Sequence, residues 1–257
     1  MSVTHFDLIS DLYLTTLDNF TWQYKSTSLY CIVAGNITAD RTLLFEFLEI
    51  LQRYYNAVFF VDGDLEHSCY EGNFAASYRN LQEGIGVLDN VLFLHENIVI
   101  LNNVTLIGAN GWTTFDFSNT STVNLTIDFL TKSNMLTEEY ANSIFKLAVS
   151  DQHYMYNSIE TCQGMKDCKD LLLITNTVPV PDFINHNADF NGTVLGDTTG
   201  NNGITGCLSR DKNSKVKTWI FGKFPEDIDC NKDGIRYVSN PGTERDFSTY
   251  FPKRIEI

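Results

Sequence analysis

Five polar residues follow predicted strands, at points where a binding or catalytic site could form. They are Asp11, Asn36, Asp64, Asn176 and Lys223, and each comes one to three residues after the end of a short apolar run. Ligand sites in open α/β sheets form where the carboxyl ends of strands meet, so we expect these side chains to converge. The first four offer oxygen atoms, which suit Mg²⁺ or Ca²⁺ better than Zn²⁺. The pattern indicates either one hard cation or a site in which the Lys223 ammonium neutralises both Asp11 and Asp64, with a solvent-facing Lys223 as the third possibility.

The segments that must position these residues alternate between strand and helix patterns. Apolar runs predict buried strands at residues 6–9, 29–34 and 58–61, and apolar residues at helical spacing predict a helix over 43–55. That helix follows a start signal at Thr38-Ala39-Asp40. The alternation is typical of an α/β protein.

Later segments predict the rest of the fold. We expect a helix over 73–83 that stops at Gly84, a strand meander beside the first sheet, helices within 136–155 and an irregular surface loop over 185–206. The meander strands are 91–94, 98–101 and 104–107, and the remaining strands are 171–175, 218–221, 235–238 and 254–257.

Composition limits the classes of protein to consider. The 257 residues, 43% of them hydrophobic, predict one domain over 1–257. No run reaches the roughly 18 apolar residues of a membrane span, and the N-terminus does not resemble a signal peptide. We therefore expect a soluble protein of the cytoplasm or of a viral particle, with no membrane partner. A net charge of −14 without a basic stripe argues against nucleic acid, and the six cysteines are expected to be reduced thiols.

The predicted strand ends carry five short signatures in a fixed order. They are Ser10-Asp11-Leu12-Tyr13-Leu14, Ala34-Gly35-Asn36-Ile37, Gly63-Asp64-Leu65-Glu66, the stretch 174–179, and Phe221-Gly222-Lys223-Phe224-Pro225. They resemble, in order and spacing, the SDLHL, AGDI, GNHE, THTVP-like and FGHTH blocks of the calcineurin-like metallophosphoesterase family. Segments 107–116 and 237–257 also resemble the family, so the resemblance covers essentially the whole chain. It implies a four-layer α/β/β/α sandwich of two mixed β-sheets.

The family hydrolyses phosphoesters with two metal ions about 3.5–4 Å apart and a His that protonates the leaving group. When the family's metal-site positions are matched to this sequence, Asp11 is the one residue that agrees with the family. The other family positions are replaced: Tyr13 stands for a His ligand, Asn36 for the bridging Asp, Asp64 for a ligand Asn, Leu65 for the catalytic His, Asn176 for a His ligand, and Lys223 and Pro225 for the two His of the last block. A neutral amide does not bridge two cations as a carboxylate does, and leucine has no proton to donate. The resemblance therefore implies a degenerate member with no catalytic residues.

Two further features have competing interpretations. We interpret His67, two residues past Leu65, as an ordinary surface residue and not as a displaced acid. The stretch 229–234 matches the first half of a calcium-binding loop, but Asn240 occupies the twelfth position, where a bidentate Glu is required. Strand patterns flank this stretch, which favours a hairpin turn at Asp233-Gly234.

These patterns favour a catalytically inactive pseudoenzyme that binds another macromolecule, by preference a protein, through its former active-site rim or outer surface. We expect no cofactor. The alternative is a divergent metal-dependent phosphoesterase in which Asp11, Asn36, Asp64 and Asn176 hold a single Mg, Mn or Ca ion. A second alternative is a structural subunit of a larger assembly, viral assemblies included.

Overall fold

The computed structural model describes residues 3–18, 20–118, 123–133, 135–242 and 249–257. Its strands form two sheets, one in the order β11-β1-β2-β3-β4 and one in the order β5-β6-β7-β8-β10-β9. The strands are β1 (His5–Ile9), β2 (Tyr30–Ala34), β3 (Ala57–Val61), β4 (Val91–Phe93), β5 (Ile98–Leu101), β6 (Val104–Ala109), β7 (Asp170–Thr175), β8 (Val216–Phe221), β9 (Asp229–Lys232), β10 (Ile235–Val238) and β11 (Lys253–Glu256).

Both sheets are mixed. In the first, β1 to β4 are parallel and β11 pairs antiparallel with β1. In the second, β6, β7, β8 and β10 are parallel, while β5 and β9 are antiparallel strands at its two edges. Parallel strands covered on both faces are built from near-continuous apolar runs. Leu171, Leu172, Leu173 and Ile174 of β7, each 0% exposed, are such a run.

Six α-helices accompany these strands in the described residues. They are α1 (Arg41–Gln52), α2 (Asp64–His67), α3 (Phe74–Ile85), α4 (Val123–Lys132), α5 (Glu138–Gln163) and α6 (Val194–Asp197). Helix α1 starts at the predicted signal, because the Asp40 carboxylate accepts hydrogen bonds from the backbone N–H groups of Thr42 and Leu43 at 2.8 and 3.1 Å. No helix in these ranges is long and apolar enough to cross a bilayer.

Three hydrophobic cores separate four layers. Helices α1 and α3 pack on the outer face of the first sheet, where Phe47 and Phe60 are buried. Phe6 and Leu106 lie in the core between the two sheets, and Met155 of α5 lies in the core on the outer face of the second sheet. The predicted α/β/β/α sandwich of two mixed sheets is confirmed. Full burial of each such side chain contributes about 1.5–3 kcal/mol.

Three predicted elements differ from the structure. The meander is wrong, since β4 joins the first sheet while the β5–β6 hairpin belongs to the second. Gly84 does not stop α3, which continues to Ile85; a Cβ at Gly84 would lie 2.0 Å from the Phe45 ring, so this glycine allows close packing on α1. The stretch 185–206 is not wholly irregular, because it contains α6 and the start of a 3₁₀ helix over Ile204–Arg210. Helix α4 and strand β9 were not predicted, because the apolar residues at 123, 125, 127 and 129 alternate as in a strand and the sequence of β9 is short and polar.

Helix α5 also supports the loop that follows β6. Asp151, 4% exposed, accepts a hydrogen bond from the Gly111 N–H at 2.7 Å. Burial raises the pKa of Asp151 from 3.8 to about 8, against the lowering effect of that hydrogen bond. The fold therefore favours the protonated carboxyl.

This raised pKa predicts a pH-dependent stability. The stabilisation from protonated Asp151 is complete below about pH 4 and is lost as pH rises through the folded-state pKa of about 8. Asp151→Asn keeps the acceptor oxygen and removes the charge, so we expect it to raise the free energy of unfolding by at least ~1 kcal/mol at about pH 9 and not at about pH 4. Urea unfolding at both pH values measures this. The exposed Asp167→Asn is the matched control, and equal effects of Asp151→Asn at the two pH values would contradict the prediction.

Candidate functional site

The five predicted polar residues lie together at the carboxyl ends of strands from both sheets, around the amide of Asn36. The Asn36 Nδ2 donates to Asp11 Oδ1 at 3.1 Å and to Asn176 Oδ1 at 2.9 Å. Its Oδ1 accepts the Leu65 N–H at 3.2 Å. These contacts use both amide hydrogens and fix the orientation of the amide group.

Lys223 and Asn176 close the network into a ring. The Lys223 Nζ contacts Asp64 Oδ2, while its backbone N–H donates to Asp11 Oδ1 at 2.8 Å. Asn176 Nδ2 makes a long contact of 3.5 Å with Asp64 Oδ1. The ring of Asp11, Asn36, Asn176, Asp64 and Lys223, called here the polar ring, is therefore closed by protein N–H donors. The ammonium reaches Asp64 directly, and the backbone of Lys223 reaches Asp11.

The backbone around the polar ring is strained. Asp11, Tyr13, Asn36 and Lys223 have φ angles of 53°, 50°, 55° and 59°, in the left-handed region that residues with a Cβ rarely adopt. Loop-to-loop hydrogen bonds hold these angles; for example, the Asp11 N–H donates to Gly35 O at 3.1 Å. Strain of this kind, about 1–3 kcal/mol per residue, clusters at functional sites.

Glycine lets the two amides of the ring approach the backbone. Gly35 has a φ of 73°, and a Cβ there would lie 2.4 Å from Asn176 Oδ1. A Cβ at Gly63 would lie 2.5 Å from Asn36 Oδ1. Neither position accepts a side chain without moving the ring.

Glu66 holds the loops that carry Asn36, although sequence analysis gave it no role. It is 1% exposed, and its Oε2 accepts the N–H groups of Asn36 and Gly63 at 3.0 and 2.7 Å. Its Oε1 accepts those of Ile37 and Thr38 at 2.7 and 3.1 Å. One carboxylate thus joins the loop after β2 to the loop after β3. The position of Glu66 at the end of the third signature is the sequence feature that could have predicted this role.

Asp11 is the most deeply buried carboxyl of the ring. It is 1% exposed, and its Oδ2 accepts no hydrogen bond of ordinary geometry from the described residues. Burial raises the pKa of Asp11 from 3.8 to about 7, against the lowering effects of the Lys223 N–H and the Asn36 and Ser10 side chains. Asp11 is therefore poised between its neutral and ionised forms near neutral pH.

His67 lies behind the polar ring, and its assignment as a surface residue is wrong. It is 0% exposed, and its Nε2 is 2.7 Å from Oδ2 of the equally buried Asp62. Its ring packs on Tyr78 and Trp112, with centroids 4.6 and 5.1 Å away. The short helix α2 turns this side chain into the aromatic core. His67 is therefore not placed to protonate anything in the ring.

A cavity of about 250 Å³ opens above the polar ring. Asp11 and Lys223 lie at its floor, and its walls are largely apolar. Tyr13 and Leu195, which are 44% and 53% exposed, lie at its mouth with the exposed Pro225. Tyr13 and Pro225, where the resemblance places His in the family, thus border a cavity and hold no polar group of the ring. Leu65 is half-buried beside Asp64.

The calcium-loop candidate is a hairpin turn, which confirms the favoured interpretation. Strands β9 and β10 flank a two-residue turn in which Asp233 and Gly234 have φ angles of 52° and 82°. The Asp229 carboxylate binds Arg236 through two hydrogen bonds of 2.8 Å. Within the described part of the chain, no group of three or more His, Cys, Asp or Glu residues is arranged to hold a metal ion.

Comparisons with known proteins agree with this architecture. No family model matches the chain. An uncharacterized protein of Acanthamoeba polyphaga mimivirus is 22% identical over 251 residues, which cover 83% of this chain and 82% of the viral protein. The structure of a phosphopantetheinyl hydrolase from Mycobacterium tuberculosis has a TM-score of 0.70 at 13% identity, covering 97% of this chain and 95% of the hydrolase.

A 5′-nucleotidase structure from Staphylococcus aureus is more distantly similar. It has a TM-score of 0.46 at 13% identity, covering 93% of this chain and 49% of the nucleotidase. Both solved structures have metallophosphoesterase-type folds. The likeness to the hydrolase shows that this chain has the same type of fold.

Proposed function

We propose that this chain, as one domain, is a non-catalytic relative of the metallophosphoesterases that binds another protein at its former active-site rim. The polar ring carries the proposal. Of the ring's oxygen atoms, all but Asp11 Oδ2 already contact protein N–H groups. The ring is therefore closed without any added group.

A two-metal centre does not fit this set of donors. Asp11 Oδ1 accepts two N–H groups, Asn176 Oδ1 accepts the Asn36 amide, and Asp64 Oδ2 contacts the Lys223 ammonium. A divalent cation would have to displace that ammonium and break the amide contacts. The remaining buried oxygen, Asp11 Oδ2, is one ligand atom, whereas Mg²⁺ takes six and structural Zn²⁺ four.

The site also lacks a proton donor for a leaving group. Leu65 occupies the position of the family's catalytic His, and leucine does not titrate. His67, the nearest histidine in sequence, is hydrogen-bonded to Asp62 inside the core. General acid catalysis would need another group, so we infer no phosphoester hydrolysis.

The rim supports a binding role. Here the rim means Tyr13, Phe190, Leu195 and Pro225 around the cavity mouth. An exposed tyrosine and leucine beside an apolar cavity suit a partner that inserts one apolar or aromatic side chain. The net charge of −14 favours a neutral or basic protein over a nucleic acid.

Metal retention tests the proposal. We expect protein saturated with Mn²⁺, Zn²⁺ or Mg²⁺ and then desalted to keep less than about 0.1 equivalent by plasma mass spectrometry. Hydrolysis of bis(p-nitrophenyl) phosphate should equal the buffer blank, and the Asp11→Asn variant is the matched control for both measurements. Two retained equivalents, or hydrolysis that Asp11→Asn abolishes, would overturn the proposal.

The single-ion phosphoesterase is a second candidate, favoured by Asp11 Oδ2, which accepts no hydrogen bond of ordinary geometry from the described residues. In it, Asp11, Asn36, Asp64 and Asn176 hold one Mg, Mn or Ca ion after Lys223 moves away. A melting temperature that rises with one of these ions in the wild type but not in Asp11→Asn would support it. A further alternative is a structural subunit of a larger assembly, viral assemblies included.

A further inference from the structure

The edge strands of the two sheets differ in how they are protected. Exposed edges invite pairing with another chain, and charged residues or short length normally block it. Strand β11 carries Lys253, Arg254 and Glu256, β9 carries Asp229 and Lys232, and β4 is three residues long. In contrast, β5 lies in Asn97-Ile98-Val99-Ile100-Leu101-Asn102-Asn103, which has neither a charge nor a proline. At four residues β5 is as short as β9 and β11, but it lacks the charges that protect those two edges.

The hairpin register leaves part of the β5 backbone facing outward. In the β5–β6 ladder, Leu101 pairs with Val104 across a two-residue turn, and Ile100 pairs with Thr105. Hydrogen-bonded and non-hydrogen-bonded pairs alternate in an antiparallel ladder, so Val99 and Leu101 bond to β6. The N–H and C=O groups of Ile98 and Ile100 therefore point away from β6, and within the described ranges β5 has no second strand beside it.

The side chains of β5 divide between core and solvent. Val99 and Leu101 pack against the core between the two sheets, which holds the strand in place. Ile98 and Ile100 are on the opposite face and remain 38% and 43% exposed. The strand thus presents four outward backbone groups and two β-branched apolar side chains on one rigid edge.

We propose that this edge binds a second copy of the chain, with β5 antiparallel to β5 about a two-fold axis through Val99. In this register Ile98 of each copy lies opposite Ile100 of the other copy. The backbone N–H and C=O groups of these two residue pairs make four hydrogen bonds, and the isoleucine side chains form two cross-strand pairs. Glu96 and Asn102 flank the strand with φ angles of 52° and 58° and lie outside this ladder. The same patch thus complements itself, as a two-fold interface requires. The two six-stranded sheets become one continuous sheet.

The net charge of the chain weakens the association of the two copies. Each copy carries a net charge of −14, so the two copies repel one another at long range. Salt screens this repulsion, with a Debye length of about 10 Å at 0.1 M and about 3 Å at 1 M. We therefore expect a dimer that strengthens as ionic strength rises, unlike one held by salt bridges.

Sedimentation velocity of the full chain tests this proposal. We expect the dimer fraction to rise with protein concentration, and to rise several-fold between about 0.05 M and about 0.5 M NaCl. Ile100→Pro should give a monomer, because it removes an outward N–H that makes no bond to β6. Ile100→Lys should also give a monomer by adding a charge to the edge. Circular dichroism confirms that both variants are folded.

The matched control is Leu92→Lys, at a residue 38% exposed on the β4 edge of the other sheet. It should remain as dimeric as the wild type. A wild type that is monomeric at both salt concentrations would overturn the proposal. So would a dimer that survives both Ile100 substitutions, because its interface would then lie elsewhere. Metal retention depends on the polar ring and not on β5, so the two proposals fail independently.

Discussion

Glu66→Ala is expected to lower the free energy of unfolding by about 3–5 kcal/mol. The substitution leaves four backbone N–H groups, those of Asn36, Ile37, Thr38 and Gly63, without their acceptor. The site is 1% exposed, so water cannot replace the carboxylate without opening the loops. A buried donor left unpaired costs about 1–3 kcal/mol, and relaxation of the loops keeps the total for four donors near the lower end of their sum. Urea unfolding followed by circular dichroism measures the effect.

Glu46→Ala is the matched control for this loss. Glu46 is an exposed residue of α1, and its substitution should change the free energy of unfolding by less than about 0.5 kcal/mol. Glu66→Gln keeps one acceptor oxygen, so its free energy of unfolding should lie between those of the wild type and the alanine variant. If Glu66→Ala were as stable as Glu46→Ala, the loops after β2 and β3 would not depend on this carboxylate.

His67→Ala is expected to be almost as damaging, by about 3–5 kcal/mol. Burial opposes ionisation of Asp62, but the hydrogen bond and charge of His67 outweigh it and lower the pKa of that carboxyl. Removing the imidazole leaves Asp62 buried with weaker donors, namely Asn110 Nδ2 at 3.0 Å and the Tyr78 hydroxyl at 3.3 Å. It also opens a cavity beside Trp112. Thermal and urea unfolding measure the loss.

A double-mutant cycle separates the buried pair from the cavity. His67→Ala with Asp62→Ala should cost clearly less than the sum of the two single losses, because no charge is left unpaired. The exposed His153→Ala should have no measurable effect. Strict additivity would show that the two side chains are not coupled through their 2.7 Å contact.

Local patterns predicted the parts of the fold that depend on local physics. The Asp40 cap, the strands before the polar ring and the hairpin turn at Asp233-Gly234 all follow from short stretches of sequence. The order of five signatures predicted the four-layer sandwich. The same signatures predicted which side chains would lie near Asn36, because strand ends meet at one edge of the sheets.

The rest depends on contacts between residues far apart in the chain. The hydrogen bonds from Asn36 to Asn176 and from Lys223 to Asp11 span 140 and 212 residues, and no local pattern specifies them. Polar residue type suggested exposure for His67, yet a complementary carboxylate at Asp62 makes its burial favourable. The placement of β5 and β6 in the second sheet also depends on tertiary packing alone.

The central amide of the polar ring makes an acidic centre difficult to reach by single substitutions. Asn36→Asp would exchange a group that donates two hydrogen bonds for one that donates none, and the new carboxylate would face oxygen atoms of Asp11 and Asn176. This step toward an acidic centre therefore gives a less stable protein unless a cation compensates. Selection for stability alone therefore opposes replacement of Asn36 by an acidic residue.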